Sequence, residues 1–243
     1  MRREETTKEN EDVGADCPRP HGEWVEHMFA GIVRYAAANG LRAPTADFTD
    51  VVADTARSRR IAAAYEAAPS VDRTAVPAYR AFVTETAKQF DLLTRPREQG
   101  GLGVQVVIWS RDPYPGPDAM MTELREQNRL RVYATAACGN PHPYMSDYEN
   151  DQFRAVHDAF GHAAFGNGFD EHGEEAAWYA HGHLYTPLAR RALTTETRGQ
   201  NCALHYGGRV GTFPVQKMAL LGAEFSDLST VRFRHGKEGC HAW

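Results

Sequence analysis

Histidine and carboxylate concentrate in one stretch of this chain. Six of its eleven histidines lie between His157 and His205, and Glu171, Glu174, Glu175 and Glu196 fall in the same window. Their neighbours are alanine, phenylalanine and tryptophan, so the window does not read as a solvated charged face. Two neutral imidazoles and one carboxylate around a single ion leave coordination positions open, which is the donor set of non-heme Fe(II) oxygenases. Zinc accepts the same donors.

His157 shares a helix face with Phe153, Val156, Phe160 and Ala164 at 3.6 residues per turn. A histidine between phenylalanines on an inward face is desolvated, which lowers its pKa and keeps it in the neutral, metal-binding form. Taken alone, His157 reads more readily as a hydrogen-bonded core histidine. His162 adds a second imidazole, but five residues along an ideal helix is a rotation of roughly 140°. Both can reach one ion only if the helix loosens between them. Gly161 stands where that must happen, because glycine tolerates unusual dihedrals, and Gly166 and Gly168 mark the helix end. Asp147 or Asn150 is expected to start this helix.

The carboxylate has more than one candidate. Thr186-Pro187 reads as an N-cap followed by proline at the first helical position. On the helix that follows, Glu196 falls within the apolar face while Arg190, Arg191 and Arg198 take the other side. A carboxylate there is costly unless it is paired or binds metal, so Glu196 is either a ligand or half of a buried ion pair. A preceding helix over Gly173 to Tyr185 carries Glu174, Trp178, His181 and Tyr185 on one face, with Glu175 and His183 elsewhere. Glu174, Glu175 and His181 are candidate catalytic groups. Glu174 with His181 could replace Glu196, hold a second metal, supply a general base, line a substrate pocket, or simply pair in a core. Asp158 can orient a ligand imidazole. Gln200 and Asn201 are placed to bond water or substrate, or to be solvated at a helix end.

The run His157-Asp158-Ala159-Phe160-Gly161-His162 resembles the iron-binding motif of the aromatic amino acid hydroxylases, His-Asp-Leu-Phe-Gly-His in bacterial phenylalanine hydroxylases. Pro143-Tyr144-Met145-Ser146 resembles that family's lead-in. Thr194-Thr195-Glu196-Thr197-Arg198-Gly199 resembles the Thr-Val-Glu-Phe-Gly context of its third ligand. The likeness covers roughly Leu130 to Gln200. It implies an Fe(2+) site of His157, His162 and Glu196, hydroxylation of a small organic substrate with O₂, and a fold like the hydroxylase catalytic core. The sequence departs from the family in three ways. The interval from His162 to Glu196 is shorter, the pterin loop has no counterpart, and Ala134 to Asn140 lacks the arginine that holds an amino-acid carboxylate. Pterin therefore enters only as an option.

The elements that must position these groups are mostly helical. Trp24, Met28, Ile32 and Tyr35 recur at helical spacing until Asn39-Gly40, a second helix is expected over Phe48 to Ala67 in one or two pieces, and a third runs from Pro77 to about Leu93. These three read as a packing layer without chemistry. Val104 to Trp109 and Leu130 to Tyr133 read as short strands, with a helix over Asp118 to Gln127 between them. The fold expected is mainly α (α+β), a helical domain with a small two-stranded β element. Residues 1–20 are expected as a disordered polar tail and 21–243 as a single catalytic domain.

A formal charge of −5 argues against nucleic acid and anionic membranes as partners. The absence of a long apolar run and the four scattered cysteines suit a cytoplasmic protein. The expected function is a non-heme Fe(II) oxygenase. Its rivals are a Zn or di-metal hydrolase or lyase using the same His/Glu cluster, in which Glu174 or Glu175 activates water, and a non-catalytic metal-binding helical protein.

Overall fold

The computed structural model describes residues 23–44 and 50–234. The expected tail at residues 1–20 and the start of the expected second helix lie outside these. The chain is mainly helical, with two small two-stranded sheets among the described residues.

Helix α1 (Glu23–Ala38) buries Met28, Ile32 and Tyr35, the spacing its sequence predicts. Strand β1 (Val51–Val52) follows, and α2 (Thr55–Ala67) begins only after Asp54, whose side chain accepts from the Arg57 N–H. The expected helix over Phe48 to Ala67 is therefore shorter. Val51 and Val52 pair antiparallel with β4 (Arg232–Phe233), a partner 180 residues away that no local pattern announces.

Helix α3 (Val76–Thr94) starts with Pro77 in its first turn and buries Tyr79, Phe82, Thr86 and Gln89 on one face. Strand β2 (Gln105–Trp109), helix α4 (Pro117–Gln127) and strand β3 (Arg129–Tyr133) form a β-α-β unit. The two strands are parallel, in register from Gln105 opposite Arg129 to Trp109 opposite Tyr133. Leu130 and Val132 point into the core, and Arg154 donates to the Tyr133 carbonyl, tying β3 to the helix that carries His157. After the short α5 (Thr135–Cys138) comes that helix, α6 (Asp147–His157). Ser146 caps it, accepting from the Glu149 N–H while Glu149 accepts from the Ser146 N–H.

Helices α7 (Glu171–Gly182), α8 (Pro187–Thr194) and α9 (Gln200–Tyr206) complete the bundle. Thr186 caps α8, with Pro187 at its first position, as the sequence predicts. Helix α3 packs against both α6 and α8, and α2 against α9. The core is continuous through Phe82, Phe153, Phe160, Trp178 and Leu193. Among the described residues, no helix is long and apolar enough to cross a membrane.

Candidate metal centre

The loosening required between His157 and His162 is present, and its form is a π-helical segment over Asp158–Ala163. Ala164 N–H bonds to the Ala159 carbonyl at 2.9 Å and Asn167 N–H to that of His162 at 3.0 Å, both five residues back. With i→i+5 bonding, residues five apart come onto one face, as residues four apart do in an α-helix. Gly161 contributes space here, without any left-handed dihedral. A Cβ at this position would lie 3.0 Å from His157 Nδ1 and 3.2 Å from the Ala177 carbonyl oxygen. The glycine lets the imidazole and α7 close over the turn.

His157, His162 and Glu174 come together, with one ligand atom from each lying within 4.8 Å of the others. His162 Nε2 is 3.7 Å from Glu174 Oε2, and that oxygen also accepts from Asn201 Nδ2 at 2.5 Å. Glu174 stands in the first turn of α7, which Asp170 caps by accepting from the Gly173 N–H.

Proton counting assigns the tautomers. Gln89 donates through Nε2 to the Leu184 carbonyl at 3.1 Å, so its Oε1, 2.8 Å from His181 Nε2, must accept. His181 then carries its proton on Nε2, and its bare Nδ1, 3.1 Å away, accepts from His157 Nδ1. His157 is left with an unshared pair on Nε2. His162 Nδ1 faces the carbonyl oxygens of Gly168 at 3.0 Å and Asn167 at 3.2 Å, so it too carries its proton there and keeps Nε2 bare. Both rings are held in the tautomer a metal needs, His162 by backbone carbonyls of the kind that orient metal-bound histidines and His157 by the His181 imidazole. This donor set fits a divalent ion.

Burial sets the charges. It pushes His157 well below the usual histidine range, His162 down to about 4 and His181 down to about 3, with neighbouring imidazoles adding to the effect on His157 and His181. It pushes Glu174 up to about 8 and Asp158 up to about 7, with Asn201 opposing the first shift and Arg154 the second.

Glu196 lies on a second π-helical turn (Thr195–Gly199), between α8 and α9. It is buried and bonded to protein groups: Oε1 to the Tyr79 hydroxyl and to His142 Nε2 at 3.1 Å, Oε2 to Gln200 Nε2 at 2.9 Å. His142 Nδ1 accepts the N–H groups of Tyr144 and Met145 at 3.0 and 2.8 Å, so its Nε2–H is the donor to Glu196. Glu175 is separate from both groups. It takes the Arg198 guanidinium in a two-pronged buried pair, with Arg198 also over the Trp178 ring and bonded to the Phe225 carbonyl. Arg198 is thus buried, against its expected place on the outer side of the helix. The π turn changes the facing of the residues after Thr194, and Glu175 compensates the charge. Of the expected catalytic groups, Glu174 joins the two histidines, His181 braces His157, and Glu175 is engaged with Arg198.

A cavity of about 310 Å³ opens onto the site, with His157, Asp158, Glu174 and Glu196 in its wall. Sequence reasoning assigned no chemistry to α3, yet Gln89 and Tyr79 reach this site from it, and His142 was also missed. The available signal was Thr86 and Gln89, two polar residues on the buried face carrying Tyr79 and Phe82. The chain matches no protein-family model, no curated protein and no solved structure.

Proposed function

We propose that the chain is a mononuclear non-heme Fe(II) oxygenase that hydroxylates or oxidises a small organic substrate with O₂, its ion held by His157, His162 and Glu174. The supporting observation is the convergence of His157, His162 and Glu174, one ligand atom from each within 4.8 Å of the others, with His157 and Glu174 in the wall of a substrate-sized cavity. The likeness of the His157–His162 run to the aromatic amino acid hydroxylase motif supports the same reading. When bound, iron(II) supplies O₂ activation at the positions three protein ligands leave open. The chain's own groups position that chemistry. Gln89 and His181 hold the His157 ring, the carbonyls of Asn167 and Gly168 hold His162, and Asn201 holds Glu174. Phe153 and Phe169 give the cavity wall apolar surface on the substrate side. Glu196, already hydrogen-bonded to Tyr79, His142 and Gln200, serves as a fixed wall carboxylate rather than a ligand.

Anaerobic loading followed by elemental analysis tests this. One iron per chain, lost in Glu174→Ala and kept in Glu196→Ala, with O₂ uptake by the loaded protein, is the expected result. Loss in Glu196→Ala alone would return the ligand role to Glu196. A preference for zinc, with turnover indifferent to O₂, would replace the oxygenase by a hydrolase.

A further inference from the structure

We propose that the cavity beside the metal centre takes a small organic cation, a primary ammonium on an apolar body, because its wall presents unpartnered buried acceptors and more acidic groups than cations. This deepens the oxygenase reading and rests on it for the location of the site.

Gln200, 7% exposed, commits Nε2 to Glu196, and its Oε1 has no partner among the described residues. Gln216 gives Nε2 to the Asn140 carbonyl at 2.5 Å, so its Oε1 must face Asn150 Nδ2, at 3.4 Å. Asn150, 2% exposed, is left with an unpartnered Oδ1 among the described residues. The Gln216 and Asn150 orientations follow from the Asn140 carbonyl, which cannot donate, and that of Gln200 from its contact with the Glu196 carboxylate. Asn201 donates to Glu174, and the Thr197 hydroxyl to the Leu193 carbonyl. The Asp158 carboxylate lines the cavity with no hydrogen-bond partner among the described residues.

Charge agrees with this count. With Glu174 protonated in the free protein at pH 7, Asp112, Asp158 and Glu196 still line the cavity against one guanidinium, Arg154. Arg154 in turn directs Nη1 to the Tyr133 carbonyl and to Cys138 Sγ. An anionic ligand would meet oxygen lone pairs and acidic charge, whereas an ammonium brings three donors to acceptors that are costly to leave unpaired. Phe153, Phe169 and Phe213 give the remaining wall aromatic surface, which suits an apolar body and attracts a cation to its ring faces. About 310 Å³ is at the small end of ligand cavities, the size of a single-ring molecule.

The test is calorimetric titration of the full chain, metal-free and loaded with redox-inert zinc, with benzylamine, benzyl alcohol and benzoate at pH 7. Benzylamine should bind at least tenfold more tightly than the other two in both forms. Asp158→Asn and Gln200→Leu should each weaken it about tenfold, with metal content unchanged. Equal or tighter binding of the alcohol or the carboxylate overturns the inference. So does binding of none of the three, binding of the amine only through added zinc, or indifference to both substitutions. The comparison within the wild type needs no variant to fold. Amine selectivity in a chain that takes up no metal would sink the oxygenase reading alone, and metal uptake without amine selectivity would sink this inference alone.

Discussion

Burial moves the acid and the bases of the centre in opposite directions. With Glu174 held up to about 8 and His162 down to about 4, the free protein at pH 7 has neutral imidazoles and a protonated carboxyl. An ion that binds Glu174 must displace that proton, so affinity should rise up to tenfold per pH unit between pH 6 and 8 and level off above. Calorimetry in buffers of different ionisation enthalpy should report close to one proton released per ion at pH 7. A flat profile would remove Glu174 from the ligand set. The brace behind His157 gives a second expectation. Gln89→Leu takes away the acceptor that fixes the His181 tautomer and should weaken metal binding about 10- to 100-fold, as losses of such supporting partners do. At this scale the ligand pair was legible, because histidines at 157 and 162 are chemically conspicuous and five residues apart. Their supports were not. Gln89 and His181 are 92 residues apart, and nothing local ties one to the other.

Among the elements, the helices were readable wherever a cap or a proline marks them, as at Thr186-Pro187. The kind of loosening between the ligands was not. Glycine at 161 signalled a break, yet its use is steric, and only the placement of His157 and Ala177 reveals that. Gly161→Ala should therefore cost about 1–3 kcal/mol through overpacking and weaken metal binding with it, measured by denaturant midpoint and metal titration on one sample. Ser146→Ala removes the cap of α6 and should cost about 1 kcal/mol while leaving metal content alone. The pairing of β1 with β4 and the inward turn of Arg198 both depend on distant partners, which periodicity cannot show. Glu175→Gln would leave Arg198 buried without its counter-charge, a loss of about 3–5 kcal/mol if Glu175 is structural. Metal uptake by the surviving folded fraction should be unchanged, and its loss would give Glu175 a role in the centre.

For the whole molecule, the same buried groups shape stability against pH. His157, His162, His181 and His183 have folded-state values depressed from 6.5, so the stability they contribute is present above pH 6.5 and lost as pH falls toward 4. Glu174 and Asp158 have folded values raised to about 8 and about 7, so their contribution is lost as pH rises through those values. Four histidines outweigh two acids on the acid side, and the acids act alone above pH 6.5. Metal-free protein should thus be most stable near pH 6.5, with urea midpoints falling on both sides. Saturating metal, which binds only the folded chain, should raise the alkaline branch, by about 2.7 kcal/mol at a free concentration a hundred times the dissociation constant. A midpoint that climbs steadily from pH 5 to 9 without metal would contradict the buried placement of these groups.

The π-helical turn at Asp158–Ala163 has a further consequence. Such a turn differs from ordinary helix by one surplus residue, so deleting Ala159 would return the segment to α-helical bonding. It would swing His162 by about 100° relative to His157. Helix content and cooperative melting should survive while the metal is lost. A single codon would then separate a metal-binding chain from an inert helical bundle of nearly the same shape, and in such a fold chemistry could be gained or discarded in one inherited step.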